Sequence, residues 1–190
     1  NMVRRMRASI CILGPMLSRY GSATIALPGG CVFGDRPIDL HIKGLRALGA
    51  SIEMRHGVLH ANTQGRRLVG ARIELKSEFG STVLGTIQII LAAVMAKGQT
   101  VIDFAAKEPE VVCLTKFLNS CGARIRGAGT SCITIDGVEG LSTCNFDVPA
   151  DRVEVSPLLV AGAITGGRVK VLNCSPDEIS SVIHVMKKSG

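Results

Sequence analysis

After the apolar stretch Ala23–Leu27 comes Pro28-Gly29-Gly30-Cys31, followed by Gly34-Asp35-Arg36-Pro37. Glycines ahead of a helix let backbone N–H groups approach an anion, and the planar guanidinium of Arg36 suits a phosphate or carboxylate. Pro37 fits a first helical turn, where its missing N–H costs nothing. The Cys31 thiol would then face an anionic ligand. A thiol ionises ordinarily at about pH 8.5; with cations beside it, it can attack or exchange a proton near neutrality. Packing is the common fate of a cysteine, so the loop by itself leaves both readings open.

The other candidates have plain alternatives too. Arg7 and Arg36 read equally as solvated charge. His41 reads as a helix-surface residue or as an acid/base group. Glu108 and Glu110 precede a helical stretch, where carboxylates favour the N-terminus, and an exposed turn is a simpler reading than acid/base chemistry. The seven cysteines are odd in number, contain no C-x-x-C pair and have no histidine cluster nearby. Neither a disulfide framework nor a zinc site follows, and a reducing cytoplasm is the expected compartment.

The elements that must position these groups are legible as an internal repeat. Leu13–Leu27 is echoed by Leu91–Phe104 and by Leu159–Leu172, each an apolar helix closed by glycine and followed by a strand. A second echo relates Gly44–Glu53 to Phe117–Arg126, with a third copy beginning at Val185. Gly49 and Gly122 are 73 residues apart, and Gly122 and Gly190 are 68 apart, so two separate echoes share a period near 70. Within one period the pattern predicts a helix over about 7–19, a strand over 22–27, a helix over 37–48 and a strand over 50–55. A turn at His56-Gly57 and strands over 58–62 and 71–75 complete it. Modules of this size imply an α/β fold of the α+β type, not a stacked solenoid. A junction or hinge is expected near Pro149-Ala150-Asp151-Arg152. The chain starts on a helix without an initiator Met and stops at Gly190 where a strand pair is due, so it reads as a piece of a longer protein.

Composition narrows the function. Hydrophobic residues make up 46% of the chain, aromatic residues 3%, and tryptophan is absent, which calls for a core of aliphatic side chains in packed layers. The net charge of +7 is scattered apart from Arg4, Arg5 and Arg7, and without stacking aromatics it points to anionic small molecules before nucleic acid. Arg4–Gly14 resembles a signal peptide, but Pro15 interrupts the apolar run and Arg19 follows. The apolar run Val83–Ala96 falls short of the roughly 20 residues that span a bilayer. A buried helix is expected there.

Five motifs carry a resemblance that covers the chain end to end. Met6-Arg7-Ala8-Ser9-Ile10, Leu27-Pro-Gly-Gly-Cys31, Gly34-Asp-Arg36-Pro37-Ile38-Asp39-Leu40-His41-Ile, Ala106-Lys-Glu108-Pro-Glu110-Val and Pro149-Ala-Asp151-Arg152-Val-Glu154 closely resemble the bacterial UDP-N-acetylglucosamine 1-carboxyvinyltransferases. The resemblance implies two domains, each an inside-out α/β barrel of three β-α-β-α-β-β units around buried helices. Residues 1–148 would hold two units of the catalytic-loop domain, and 149–190 the hinge and the start of the second domain.

It also implies the reaction. The enolpyruvyl group of phosphoenolpyruvate passes to the 3-hydroxyl of UDP-N-acetylglucosamine with release of phosphate, a step of cytoplasmic peptidoglycan precursor synthesis and so of cell-wall biogenesis. No cofactor, metal, membrane or nucleic acid is implied. Cys31 matches the family's phosphoenolpyruvate-binding cysteine, and Arg7 an arginine near the phosphate and nucleotide-sugar sites. Arg36 matches a substrate-contacting arginine; Pro37, Ile38, Asp39 and Leu40 match the uridine-binding stretch, with His41 beside them. The segment Lys76–Thr86 is about four residues longer than the family pattern. Aligned from its helix, it puts Thr82 and Val83 at the binding positions; aligned from its strand, it keeps Lys76. Glu108 and Asp151 fall in the remaining motifs. Other family groups that complete the site fall outside these residues, so the chain alone is not expected to turn over. A shikimate-type enolpyruvyl transferase, an RNA 3'-phosphate cyclase-like protein and a non-catalytic binding domain are the alternatives.

Overall fold

The computed structural model describes residues 6–27, 29, 37–78 and 80–190. Cys31 and Arg36 lie outside the described residues, as do Arg4 and Arg5. The chain divides into two units, residues 1–144 and 145–190.

The first helix of the first unit does not start as an α-helix. Arg7–Ile12 winds as a 3-10 helix and passes into α1, Leu13–Tyr20. Pro15 explains the change: in an α-helix its N–H would serve the carbonyl of Cys11, and proline has none. The chain tightens to i→i+3 bonds, Leu13 N–H donating to the Ile10 carbonyl. Gly21 ends α1 at φ 73°, its N–H returning to the Leu17 carbonyl, as the glycine at this position suggests.

β1 (Ser22–Ala26), α2 (Asp39–Ala47), β2 (Ser51–Arg55) and β3 (Val58–Asn62) follow. The three strands form an antiparallel sheet in the order β1-β3-β2, with Ala61 between Ala23 and Ile52. His56 and Gly57 both take positive φ, 49° and 73°, the geometry a two-residue hairpin between right-twisted strands requires.

The second copy repeats the plan. After β4 (Arg72–Glu74) come α3 (Val83–Ala93), β5 (Gln99–Asp103), α4 (Pro109–Ser120), β6 (Arg124–Arg126) and β7 (Cys132–Asp136). The order β5-β7-β6 reproduces β1-β3-β2, again antiparallel throughout. β4, the further strand of the first copy, pairs in parallel with β5, Ile73 beside Ile102. One copy therefore lends its last strand to the next copy's sheet. Among the described residues the two sheets stay separate and close no barrel.

α3 is the buried helix expected from Val83–Ala96, and α1 and α2 both pack on it. Glycines allow the close crossings. A Cβ on Gly14 of α1 would lie 2.6 Å from the carbonyl oxygen of Gln88, and one on Gly44 of α2 would overlap the Ile89 side chain. Ile10, Leu13, Leu45, Ile73, Ile89 and Ile90 fill the space between helices and sheets.

In the second unit, Asp151 caps α5 (Arg152–Ile164), its Oδ1 accepting from Val153 N at 2.8 Å. A 3-10 turn, Pro176–Ile179, leads into α6 (Ser180–Lys188). The strand expected after the third copy's helix is not formed: residues 168–172 have no ladder. A strand exists through its hydrogen-bonded neighbour, and this unit contains no other strand to supply one.

Candidate functional site

Two helix N-termini of the first unit open on one cleft of about 980 Å³. Pro37, Asp39, Leu40 and His41 reach it from the start of α2, and Thr82, Val83 and Leu84 from the start of α3; Arg7 and Lys76 complete the cationic lining. The exposed N–H groups and the positive end of each helix dipole favour an anion there, as do the two cations. Asp39, Glu78 and the hydroxyls of Ser77 and Ser81 vary the lining. It is a mixed surface suited to a ligand with both anionic and hydroxyl groups.

The cleft gathers residues that are far apart in sequence. Arg7, at the start of the 3-10 helix, donates from Nη2 to the Pro37 carbonyl at 3.3 Å, tying that helix to the start of α2. Lys76 lies two residues beyond the end of β4 with its Nζ 5.3 Å from the ring centroid of Phe104. The segment after it turns back: Ser77 and Gly80 exchange backbone hydrogen bonds of 3.1 and 3.2 Å. Lys76 and Thr82 therefore line the same cleft although six positions separate them. Thr82 caps α3, its Oγ1 accepting from Gly85 N at 3.2 Å, while Thr86 Oγ1 donates to the Thr82 carbonyl at 2.8 Å.

Ile38 is different: it stands at the N-cap of α2, and its side chain packs on the hydrophobic core and is not part of the cleft lining. Glu108 occupies the N-cap of α4, away from the cleft lining, with a buried Oε2 that finds no partner among the described residues. Asp151 belongs to the second unit, where its capping bond accounts for its type.

His41 is not the surface residue that its place on a helix allows. It is 2% exposed, and its Nδ1 meets Oε1 of Gln88, a short contact between α2 and α3. Burial holds the imidazole pKa below its ordinary value and Arg7 pushes the same way, against the Gln88 hydrogen bond and Asp39. The ring is therefore neutral at pH 7. Gln88 went unmarked by the motifs. Its signal in the sequence is an amide within the apolar run Val83–Ala93.

Comparison with known proteins settles the family. The model of the EPSP synthase (3-phosphoshikimate 1-carboxyvinyltransferase) family matches residues 1–190. The chain belongs to the EPSP synthase family. Relatives of this EPSP synthase family chain include the UDP-N-acetylglucosamine 1-carboxyvinyltransferases of three strains of Coxiella burnetii, 49% identical over 189 residues. The match covers 100% of this chain and 43% of each relative, so the chain spans less than half the length of the curated relatives it matches. Among solved structures, the enolpyruvyl transferase NikO from Streptomyces tendae shares the fold with a TM-score of 0.70 at 20% identity, over 99% of this chain and 43% of that one. An EPSP synthase from Acinetobacter baumannii matches with a TM-score of 0.62 at 25% identity, over 83% and 34%. Among the described residues no helix is long and apolar enough to cross a membrane.

Proposed function

We propose that this chain supplies the phosphoenolpyruvate-binding part of an enolpyruvyl transferase that acts on UDP-N-acetylglucosamine in the cytoplasm, at an early step of peptidoglycan precursor synthesis. The observation that carries the reading is the cleft itself. Arg7, then Pro37, Asp39, Leu40 and His41, and Lys76 with Thr82 and Val83 come from three separate stretches and line one cavity, where two cations and two helix N-termini favour an anion. The relatives at 49% identity bear the same activity in their name.

In this reading the sugar 3-hydroxyl adds to C2 of phosphoenolpyruvate while a proton reaches C3. The tetrahedral adduct then gives up a proton from C3 as the C2–O bond to phosphate breaks, so that the double bond of the enolpyruvyl group re-forms and phosphate leaves. Cys31 is the thiol that binds phosphoenolpyruvate and delivers the proton. Arg7 and Arg36 offset the phosphate and carboxylate charge as it redistributes, and the start of α2 holds the uridine. Residues 1–148 form two units of the loop-bearing domain, and 149–190 begin the second domain. Closure of two domains over the substrates excludes water, so turnover belongs to a protein of the relatives' length. Phosphoenolpyruvate and the sugar nucleotide are the partners, with no cofactor, metal or nucleic acid.

Shikimate 3-phosphate is the competing acceptor, since the family's own description names that reaction. Calorimetric titration of the chain with UDP-N-acetylglucosamine and with shikimate 3-phosphate separates the two. Binding of the sugar nucleotide alone is expected; preference for shikimate 3-phosphate would contradict the reading.

A further inference from the structure

Gln88 is fully buried at the middle of α3. Burying an amide costs free energy unless its hydrogen bonds are made. Only one end of this amide is engaged: Oε1 meets His41 Nδ1, while Nε2 has no partner among the described residues. An apolar residue of similar size would fill the space without leaving a donor unpaired. The amide therefore makes sense through what it does to His41.

An amide oxygen has lone pairs and no hydrogen, so it holds the nitrogen facing it in the protonated form. In a neutral imidazole the other nitrogen is then an acceptor. His41 lines the cleft while its Nδ1 faces the buried side, toward α3. The edge left for a ligand carries Nε2. The geometry points to Gln88 as a positioning residue: it fixes His41 as the Nδ1–H tautomer and so presents Nε2 to the cleft as a hydrogen-bond acceptor for a hydroxyl or imide N–H of the sugar nucleotide. The ligand half of this inference rests on the proposed nucleotide site; the tautomer half does not.

The role has a direction. A neutral acceptor favours a ligand group that carries a hydrogen and disfavours a bare phosphate oxygen, which both Arg7 and Lys76 attract. His41 would thus sort the nucleoside end of the ligand from its phosphates. Burial, which keeps the ring neutral, works to the same end.

The test uses the chain labelled with nitrogen-15 in its histidines. Long-range proton–nitrogen correlation spectra read the tautomer of His41 directly, and calorimetry reads UDP-N-acetylglucosamine binding, with inorganic phosphate as the control ligand. The wild type is expected to show Nδ1–H. Gln88→Leu should shift the ring toward Nε2–H and weaken sugar-nucleotide binding about fivefold, the worth of one neutral hydrogen bond, with phosphate unaffected. Gln88→Glu keeps an accepting oxygen within reach of Nδ1 and should keep that nitrogen protonated, while its charge favours protonation of Nε2 as well. In a His41→Phe background, Gln88→Leu should cost no further affinity, because Gln88 acts only through the ring.

An Nε2–H wild type overturns the inference, and needs no variant to fold. So do an unchanged tautomer in Gln88→Leu or additive losses in the double variant. If the wild type binds no sugar nucleotide while the tautomer responds as expected, the nucleotide reading of the cleft fails and the hold of Gln88 on His41 stands.

Discussion

Gly14 on α1 lies directly against the backbone of Gln88 on α3: a Cβ at residue 14 would sit 2.6 Å from the Gln88 carbonyl oxygen. One residue on along α3, the buried side chain of Ile89 lies against Gly44 of α2. The crossing of these helices is what brings His41 to Gln88. Gly14→Ala is expected to force the helices apart and destabilise the first unit by about 2 kcal/mol, as overpacking of a close contact does. Chemical denaturation measures this; an unchanged midpoint would show that the helices can slide without loss.

The buried imidazole makes stability depend on pH. The unfolded chain binds a proton on His41 near the ordinary histidine value, and the folded chain binds it only at lower pH, because burial and Arg7 disfavour the charged ring. Between those two values the unfolded state holds more protons, so stability falls as pH falls. The contribution is complete above about pH 6.5 and is lost as pH drops through the lower, folded value. Thermal melts from pH 7.5 to 5 should show a decline that is smaller in His41→Gln. Asp39 on α2 opposes the shift, so Asp39→Asn should steepen the decline.

The described thiols should differ in reactivity. Burial pushes the Cys11 thiol up to about 11, against the pull of Arg7. Cys121 is raised by its hydrogen bond to Cys144, with Sγ to Sγ at 3.2 Å, and by burial. Cys132 is exposed. Because the thiolate is the nucleophile, brief treatment with iodoacetamide at pH 7.5 should label Cys132 ahead of Cys11 and Cys121. Peptide mass spectrometry gives the order, and early labelling of Cys11 would contradict its burial against α3.

Glu78, like Asp39, puts a carboxylate in a cleft where Arg7, Lys76 and two helix N-termini favour an anion. Glu78→Gln should tighten binding of UDP-N-acetylglucosamine a few-fold at low salt, and the gain should shrink as ionic strength rises, since exposed charges are screened within about 10 Å at 0.1 M. Calorimetry at two salt concentrations checks both parts. Weaker binding in the variant would show that the carboxylate contacts the ligand directly.

Much of the fold was legible because local rules agree with the global one. The hairpin β2–β3 follows from period-two alternation around His56-Gly57, and the same signal recurs at β6 and β7. The first two copies became two sheets that share one three-strand order, with β4 added to the second. What escaped depends on tertiary partners. The 3-10 start of the first helix follows from the absent N–H of Pro15, whereas the periodicity predicted one helix over about 7–19. The third copy's strand has the right alternation at Arg168–Leu172 but nothing to pair with. Ile38 carries a uridine-stretch position in its motif, yet its apolar side chain finds the core. His41 and Gln88 meet across 47 positions, and only the packing of α2 on α3 reveals the contact. The candidate residues Cys31 and Arg36 rest on the sequence alone.

The central claim is that Cys31 meets phosphoenolpyruvate beside a bound sugar nucleotide. An epoxide phosphonate that mimics phosphoenolpyruvate, added to a protein of the relatives' full length carrying this chain, tests it most directly once the modified residue is mapped by mass spectrometry. Alkylation at Cys31, enhanced by UDP-N-acetylglucosamine, is the expected result. Labelling that spares Cys31, or that ignores the sugar nucleotide, would contradict the claim.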